Sequence, residues 1–267
     1  MHGNNKKIVF FDIDGTIYLY GRGIPDDTRK AIENLRENGH MAMLCTGRTT
    51  SMIFPEILDV GFDGVIAGAG TYVKVGEEKL YEEVLDNNKV CEIIEDMRKF
   101  NIMAIPEGVK NIYFDKDLMR EDYISIYKLY KENVGRNVVV IDDLSEITAS
   151  KVSGVANYGA DVDSLVEKYK NDFNVVFHGK GFIEMIPKDY SKAKGIESVL
   201  KYTGIEKKNT YAFGDGMNDF EMLKYVKYGV AMGNSSDEFK SNFKYVTDDF
   251  DKGGIYKSLK GFELIWI

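Results

Sequence analysis

The chain has 267 residues, of which 44% are apolar and 29% charged, the balance of an ordinary globular protein with one large domain or two modest ones. Its net charge of −8 argues against nucleic acid as the main partner, because a phosphate backbone needs a basic face. Cys45 and Cys91 stand outside any CxxC pair and fit a reducing cytoplasm, and the early apolar run Ile8 to Phe11 is too short for a signal peptide or a membrane span.

In chain order, Ile8-Val9-Phe10-Phe11 reads as a buried strand of a parallel sheet, ending at Asp12. Pro25-Asp26-Asp27-Thr28 opens a helix whose aspartates are expected to cap its first turn. Gly39 ends that helix. Met41 to Cys45 is a second strand, leading into Thr46-Gly47-Arg48. A helix is expected over Thr49 to Asp59, then a third strand over Val65 to Ala67. This βαβαβ order predicts a doubly wound, Rossmann-like parallel sheet. The rhythm returns near the end. Helices are predicted at Ala193–Tyr202, Asn218–Tyr225 and Ser235–Phe243, and strands at Tyr211–Phe213, Gly229–Met232 and Tyr245–Val246.

Between these halves the pattern changes. Helices are expected at Lys89–Phe100, Glu121–Glu132 and Asp161–Lys170. Strands are expected at Ile102–Ile105, Asn111–Phe114, Val138–Ile141, Lys151–Asn157, Asn174–His178 and Phe182–Ile186. The fold class is therefore α/β. Residues 1–82 and 187–267 form the parallel-sheet core, and residues 83–186 form a smaller inserted α/β cap domain.

The strongest chemical signal is Asp12-Ile13-Asp14-Gly15-Thr16, directly behind a buried strand. Ligands of open parallel sheets bind beyond the carboxyl ends of the strands. Two carboxylates there repel each other and lose solvation unless something uses them. One can act as nucleophile and the other as general acid, then base. The plainer alternative is a strand-end turn with capping aspartates. Gly214-Asp215-Gly216-Met217-Asn218-Asp219 follows another apolar strand. Asp215 and Asp219 are spaced to hold or support Mg²⁺, which prefers oxygen ligands. Asn218 would donate to a phosphate oxygen or meet a metal-bound water.

Thr46 and the following N–H, that of Gly47, would face an anion over the sheet edge. Taken alone, Thr46-Gly47-Arg48 reads more simply as a turn. Lys192 stands near a helix start, where the dipole disfavours a cation and an anionic partner is needed. Lys194 competes for the same part.

These four segments in this order resemble the haloacid dehalogenase-like hydrolases. The match is nearest to the Cof-type branch, whose larger cap lies between the second and third motifs. The motifs are Asp12 to Thr16, Cys45 to Arg48, Ser191 to Ile196, and Phe213 to Asp219 followed by Met222-Leu223. Gly229-Val230-Ala231-Met232-Gly233-Asn234 fits the branch's ending. The resemblance implies a phosphatase acting on a small phosphorylated metabolite, such as a sugar phosphate, through an aspartyl-phosphate. It implies Asp12 as nucleophile and Asp14 as acid and base, with Thr46 and Lys192 on the phosphoryl oxygens. Gly47, Arg48 and Asn218 would also contact substrate. Mg²⁺ would be held by Asp12, the Asp14 carbonyl and Asp215, with Asp219 in support. The chain departs from the branch at Gly68-Ala69-Gly70-Thr71, where relatives often carry Asn-Gly-Ala.

The cap is expected to exclude water and read the leaving group. His178, Gly179, Lys180 and Gly181 are candidates for that reading, and Tyr18, Tyr20 and Arg22 would face it. The rival functions are phosphoryl transfer to a sugar, as in a phosphomutase, a signalling receiver domain, and a non-catalytic phosphate-binding relative. The oligomeric state is open.

Overall fold

The computed structural model describes residues 6–115, 121–178 and 181–266. The chain divides into two compact units. One comprises the described residues of Met1–Gly47, Glu56–Leu80 and Lys192–Ile267, and the other those of Arg48–Pro55 and Tyr81–Ser191.

The sheet of the first unit is built around β1 (Ile8–Phe11), four apolar residues with no exposed surface. On one side lie β2 (Met41–Cys45) and β3 (Gly64–Ala67), both joined in parallel. On the other lie β12 (Thr210–Gly214), β13 (Tyr228–Ala231) and β14 (Tyr245–Val246), also parallel. Strand β4 (Tyr72–Val75) turns back antiparallel to β3, and β5 (Glu78–Glu82) follows it in the sheet order. Continuous apolar runs suit strands buried on both faces. Helix α1 (Asp26–Glu37) buries Thr28, Ala31, Ile32 and Leu35 and packs on β2 and on α9 (Gly254–Gly261). Helix α6 (Lys192–Thr203) packs on β3 and β4, and α7 (Phe220–Tyr225) on β12 and β13.

In the second unit the strand order is β10-β11-β9-β6-β7-β8. These are β6 (Ile102–Glu107), β7 (Ile112–Asp115), β8 (Val138–Ile141), β9 (Lys151–Ala156), β10 (Phe173–His178) and β11 (Phe182–Pro187). Only the β7–β8 pairing is parallel. Ile102, Ala104, Val152, Ile183 and Met185 of this sheet join Val90, Ile93, Ile94 and Met97 of α3 (Asn87–Lys99) and Leu165 and Tyr169 of α5 (Val162–Tyr169) in one apolar cluster. Helix α4 (Glu121–Val134) sets Tyr123 and Tyr127 edge-on against Phe114.

Four details differ from the sequence reading. The helix expected over Thr49–Asp59 is a 3₁₀ turn, Thr50–Met52, followed by the single turn α2 (Pro55–Leu58). Pro55 lacks the N–H a continuing helix needs and disfavours the helical region for the residue before it. The aspartates at the start of α1 occupy its first turn, while Pro25 is the N-cap without a side-chain bond. The last short helix, α8 (Asp237–Lys240), is briefer than expected and is capped by Ser236, which accepts the Phe239 N–H. Strands β4 and β5 and helix α9 were not anticipated. Among the described residues no helix is long and apolar enough to cross a membrane.

Candidate active site

Phe11 pairs with Phe213 in the parallel register of β1 and β12. The residues that follow, Asp12 and Gly214-Asp215, therefore leave the sheet side by side at its carboxyl edge, at the switch point between outward-running strand orders. The Asp12 N–H donates to the Phe213 carbonyl at 3.1 Å. Carboxylate oxygens of Asp12, Asp215 and Asp219 all lie within 4.8 Å of one another. Sequence positions about 200 apart thus meet in one acidic cluster.

A glycine makes this approach possible. Gly15 has φ +79°, and a Cβ there would sit 2.1 Å from Asp215 Oδ2. Any larger residue would push the two loops apart. The loop beyond Gly15 curls on the Ile13 carbonyl, which accepts the Thr16, Ile17 and Tyr18 N–H groups, while Tyr18 returns its carbonyl to the Gly15 N–H at 2.9 Å.

Lys192 opens α6 with its side chain buried, and its Nζ lies 2.6 Å from Asp12 Oδ1 and 2.6 Å from Asp219 Oδ1. The anionic partner required by a lysine at a helix start is this pair. Lys194 is exposed. Asp219 spends its other oxygen, Oδ2, on the N–H groups of Asp215 at 2.9 Å and Gly216 at 3.3 Å. It is thereby a brace for the turn carrying Asp215. Asp12 keeps Oδ2 beyond its lysine bond, and Asp215 is half-buried with no ion pair among the described residues.

Three carboxylates facing one ammonium leave surplus negative charge in a poorly solvated place. Burial and then the Asp219 charge push the Asp12 carboxyl well above its ordinary range, against the pull of Lys192. Burial and Asp219 likewise push Asp215 up to about 7. Burial works against the charge of Lys192, but Asp12 and Asp219 outweigh it and hold the ammonium well above its usual range. All three shifts express one demand for added positive charge. An all-oxygen donor set of closely spaced carboxylates fits a hard divalent cation such as Mg²⁺.

The other anticipated residues fall out as follows. Asp14 is exposed beside the cluster, and its charge raises both Asp12 and Asp215, but its carboxylate is not one of the three that converge. Thr46 is buried at the end of β2, with its N–H on the Ile66 carbonyl and its carbonyl accepting the Ala69 N–H, each at 2.9 Å. Gly47 is half-buried and Asn218 exposed in the same unit. Arg48 belongs to the other unit, where its guanidinium lies 4.5 Å over the Phe54 ring and bonds the Met52 carbonyl. His178 ends β10, its backbone paired with Phe182. Gly179 and Lys180 lie outside the described residues, and Gly181 is half-buried with φ +77°. Tyr18 is buried, Tyr20 exposed, and Arg22 pairs with Asp251 at 2.5 Å.

Two residues were quoted in sequence segments without a role of their own. Ala69 sits in the left-handed region, φ 54°, in a turn bonded to Thr46. Asn234 bridges Gly15 to the segment at Phe250. Its place just past β13, at the same sheet edge, is the signal that could have found it.

Comparisons with known proteins give the family of the chain. A family model described as haloacid dehalogenase-like hydrolase matches residues 9–259. The chain is 29% identical over 264 residues to the protein YkrA of Bacillus subtilis, covering 98% of this chain and 99% of that one. It is 25% identical over 269 residues to the 5-amino-6-(5-phospho-D-ribitylamino)uracil phosphatase YitU of the same organism, covering 95% and 96%. Among solved structures, the HAD subclass IIB sugar phosphatase BT4131 superposes with a TM-score of 0.84 at 26% identity, over 97% of this chain and all of that one.

Proposed function

We propose that this chain, which belongs to the haloacid dehalogenase-like hydrolases, is a Mg²⁺-dependent phosphatase of a small phosphorylated metabolite, with a sugar phosphate as the leading class. The observation that carries the reading is the convergence of Asp12, Asp215 and Asp219 on one another, with the Lys192 ammonium bonded to Asp12 and Asp219.

In this reading Asp12 Oδ2, the oxygen left over from the lysine bond, attacks phosphorus and forms an aspartyl-phosphate. Asp14, the exposed carboxyl at the mouth of the same turn, gives its proton to the departing alkoxide. It then takes a proton from the water that cleaves the acyl-phosphate. Lys192 holds Asp12 in line and neutralises charge on the phosphoryl oxygens, and Thr46 offers its side chain at the end of the neighbouring strand. Asp12 and Asp215 would hold the cation, with Asp219 fixing the turn between them. When bound, Mg²⁺ supplies the remaining neutralisation that phosphoryl transfer requires. The second unit is assigned the role of a cap that reads the leaving group, with His178 and Arg48 among its contacts. The sugar class rests on the likeness to BT4131. The two unbridged cysteines suit a reducing cytoplasm.

The test is phosphate release from a panel of phosphomonoesters with Mg²⁺ and with EDTA. The expected result is release that EDTA stops and that Asp12→Asn lowers by at least about 10³-fold without changing the melting temperature. Full turnover by Asp12→Asn removes it as nucleophile. Transfer of phosphate to an added sugar, in place of release, turns the reading into that of a mutase.

A further inference from the structure

The first turn of α6 rests on Cys45 and Ile66, which face each other in the parallel register of β2 and β3 and have no exposed surface. The Lys192 carbonyl accepts a long bond from Cys45 Sγ at 4.0 Å. Gly195, three residues on and so on the same side of the helix, meets Ile66. A Cβ on Gly195 would lie 2.5 Å from Ile66 Cγ2 and 3.4 Å from its Cγ1 and Cδ1.

Glycine weakens a helix interior relative to alanine. Gly195 lies inside α6 and is not among the glycines with positive φ, so its backbone would accept alanine. The obstacle to a side chain is Ile66. Its Cγ2 sits on the branched carbon and cannot withdraw unless χ1 turns, which is stiff in a β-branched residue. The helix would have to lift instead. Ordinary carbon contact begins near about 3.5 Å, so the lift is about 1 Å. Ile66 also accepts the Thr46 N–H on its carbonyl at 2.9 Å. One residue of β3 thus supports the helix that opens with Lys192 and holds the backbone of Thr46.

We propose that Gly195 is a positioning residue. Its missing side chain lets α6 settle on Ile66, at the height where the Lys192 ammonium spans Asp12 and Asp219 at 2.6 Å each. This rests on the phosphatase reading above, and specifically on Lys192 holding Asp12 in line for attack.

The experiment measures p-nitrophenyl phosphate hydrolysis with Mg²⁺, well below the melting temperature of each variant. Gly195→Ala should lower kcat by about 30-fold and change KM by less than about 3-fold, because it disturbs the attacking group more than the bound ester. Val199→Ala, one turn further along α6 and fully buried, loosens the same helix away from Lys192. It should lower the melting temperature yet keep kcat within about 3-fold of wild type. Ile66→Ala removes the atoms that Gly195→Ala would strike. In that background Gly195→Ala should cost less than about 3-fold in kcat, a coupling readable even where the single Gly195→Ala variant does not fold. Wild-type kcat in Gly195→Ala overturns the positioning role, as does a loss of about 30-fold that persists in the Ile66→Ala background. A kcat that simply follows melting temperature through all four variants overturns it too. In each of those cases the phosphatase reading stands. Wild-type enzyme that hydrolyses no phosphomonoester overturns both.

Discussion

Each unit of this protein buries a lysine between two carboxylates, and the two clusters differ in a way that separates a site from a structural feature. In the first unit Lys192 comes from a helix start and Asp12, Asp215 and Asp219 from loops at strand ends. In the second, Lys151 reaches Glu184 and lies 3.2 Å from Glu107 Oε2 without hydrogen-bond alignment. These three side chains stand on mid-sheet strands, Glu107 opposite Lys151 across β6 and β9, and Glu184 opposite Ser153 across β11 and β9. They share the sheet face turned away from the apolar cluster, by the alternation of strands. Two carboxylates on one ammonium leave this group a single surplus charge, and burial pushes the Glu107 carboxyl upward. The first cluster carries two surplus charges, with Asp14 beside it, and a divalent cation matches that surplus. The difference lies in the size of the imbalance and in whether the carboxylates sit on loop ends or inside paired strands.

The sharpest way to break the comparison is to remove each lysine. Lys192→Met and Lys151→Met each strip the cation from buried carboxylates, and each should lower stability by about 3–5 kcal/mol. Added Mg²⁺ should recover part of the lost melting temperature in Lys192→Met and none in Lys151→Met. Equal rescue of both, or of neither, would erase the distinction. A smaller effect is expected at the contact between the two loops. Gly15→Ala forces a Cβ into Asp215 and a side chain into φ +79°. It should cost about 1–2 kcal/mol and lower phosphate release by on the order of 10²-fold, seen by melting and by kinetics on the same protein. Unchanged kinetics would mean that the turns do not need their close approach.

The loops that carry these effects were readable from the chain because they follow unbroken apolar strands, and carboxylates at such ends are hard to place otherwise. Lys192 was readable for a related reason, since a lysine at a helix start needs an anion. The part played by Asp219 was only half visible, because its bond to Lys192 and its hold on the Asp215 N–H depend on how α6 and β12 come together. Ala69 and Asn234 belong to no periodic pattern. One is known by a backbone angle and the other by a bond across 219 positions, and neither property is written in local sequence. The lost helix after Thr49 shows the reverse case, where a local signal at Pro55 was present and should have outweighed the apolar spacing.

Acid should discriminate the clusters more gently. The folded protein without metal holds Asp215 at about 7, above its unfolded value near 3.8. The folded state therefore binds more protons between those limits, and the stability tied to this group is present at low pH and lost as pH rises toward and through about 7. In EDTA the melting temperature should fall by roughly 3–6 °C between about pH 5 and pH 8, less so in Asp215→Asn. Mg²⁺ should flatten or reverse the trend, because it binds the ionised form. A fall of equal size in wild type and Asp215→Asn would take the effect away from this carboxyl.

The smallest expected effect is the most telling for the second unit. A buried ion cluster that only fills its place can be exchanged as a whole for apolar side chains of similar volume, with a result near neutral or even stabilising. Lys151→Met, Glu107→Leu and Glu184→Leu combined, with Ser153→Ala to remove a hydroxyl lacking a hydrogen-bond partner, should melt within about 1 kcal/mol of wild type and keep its phosphate release. The strands supply their own backbone pairing on either side, so the register does not depend on the charges. A protein that melts normally but loses turnover of its best ester would show that these charges meet the substrate. The two buried lysines would then both be functional, and charge imbalance would no longer tell them apart.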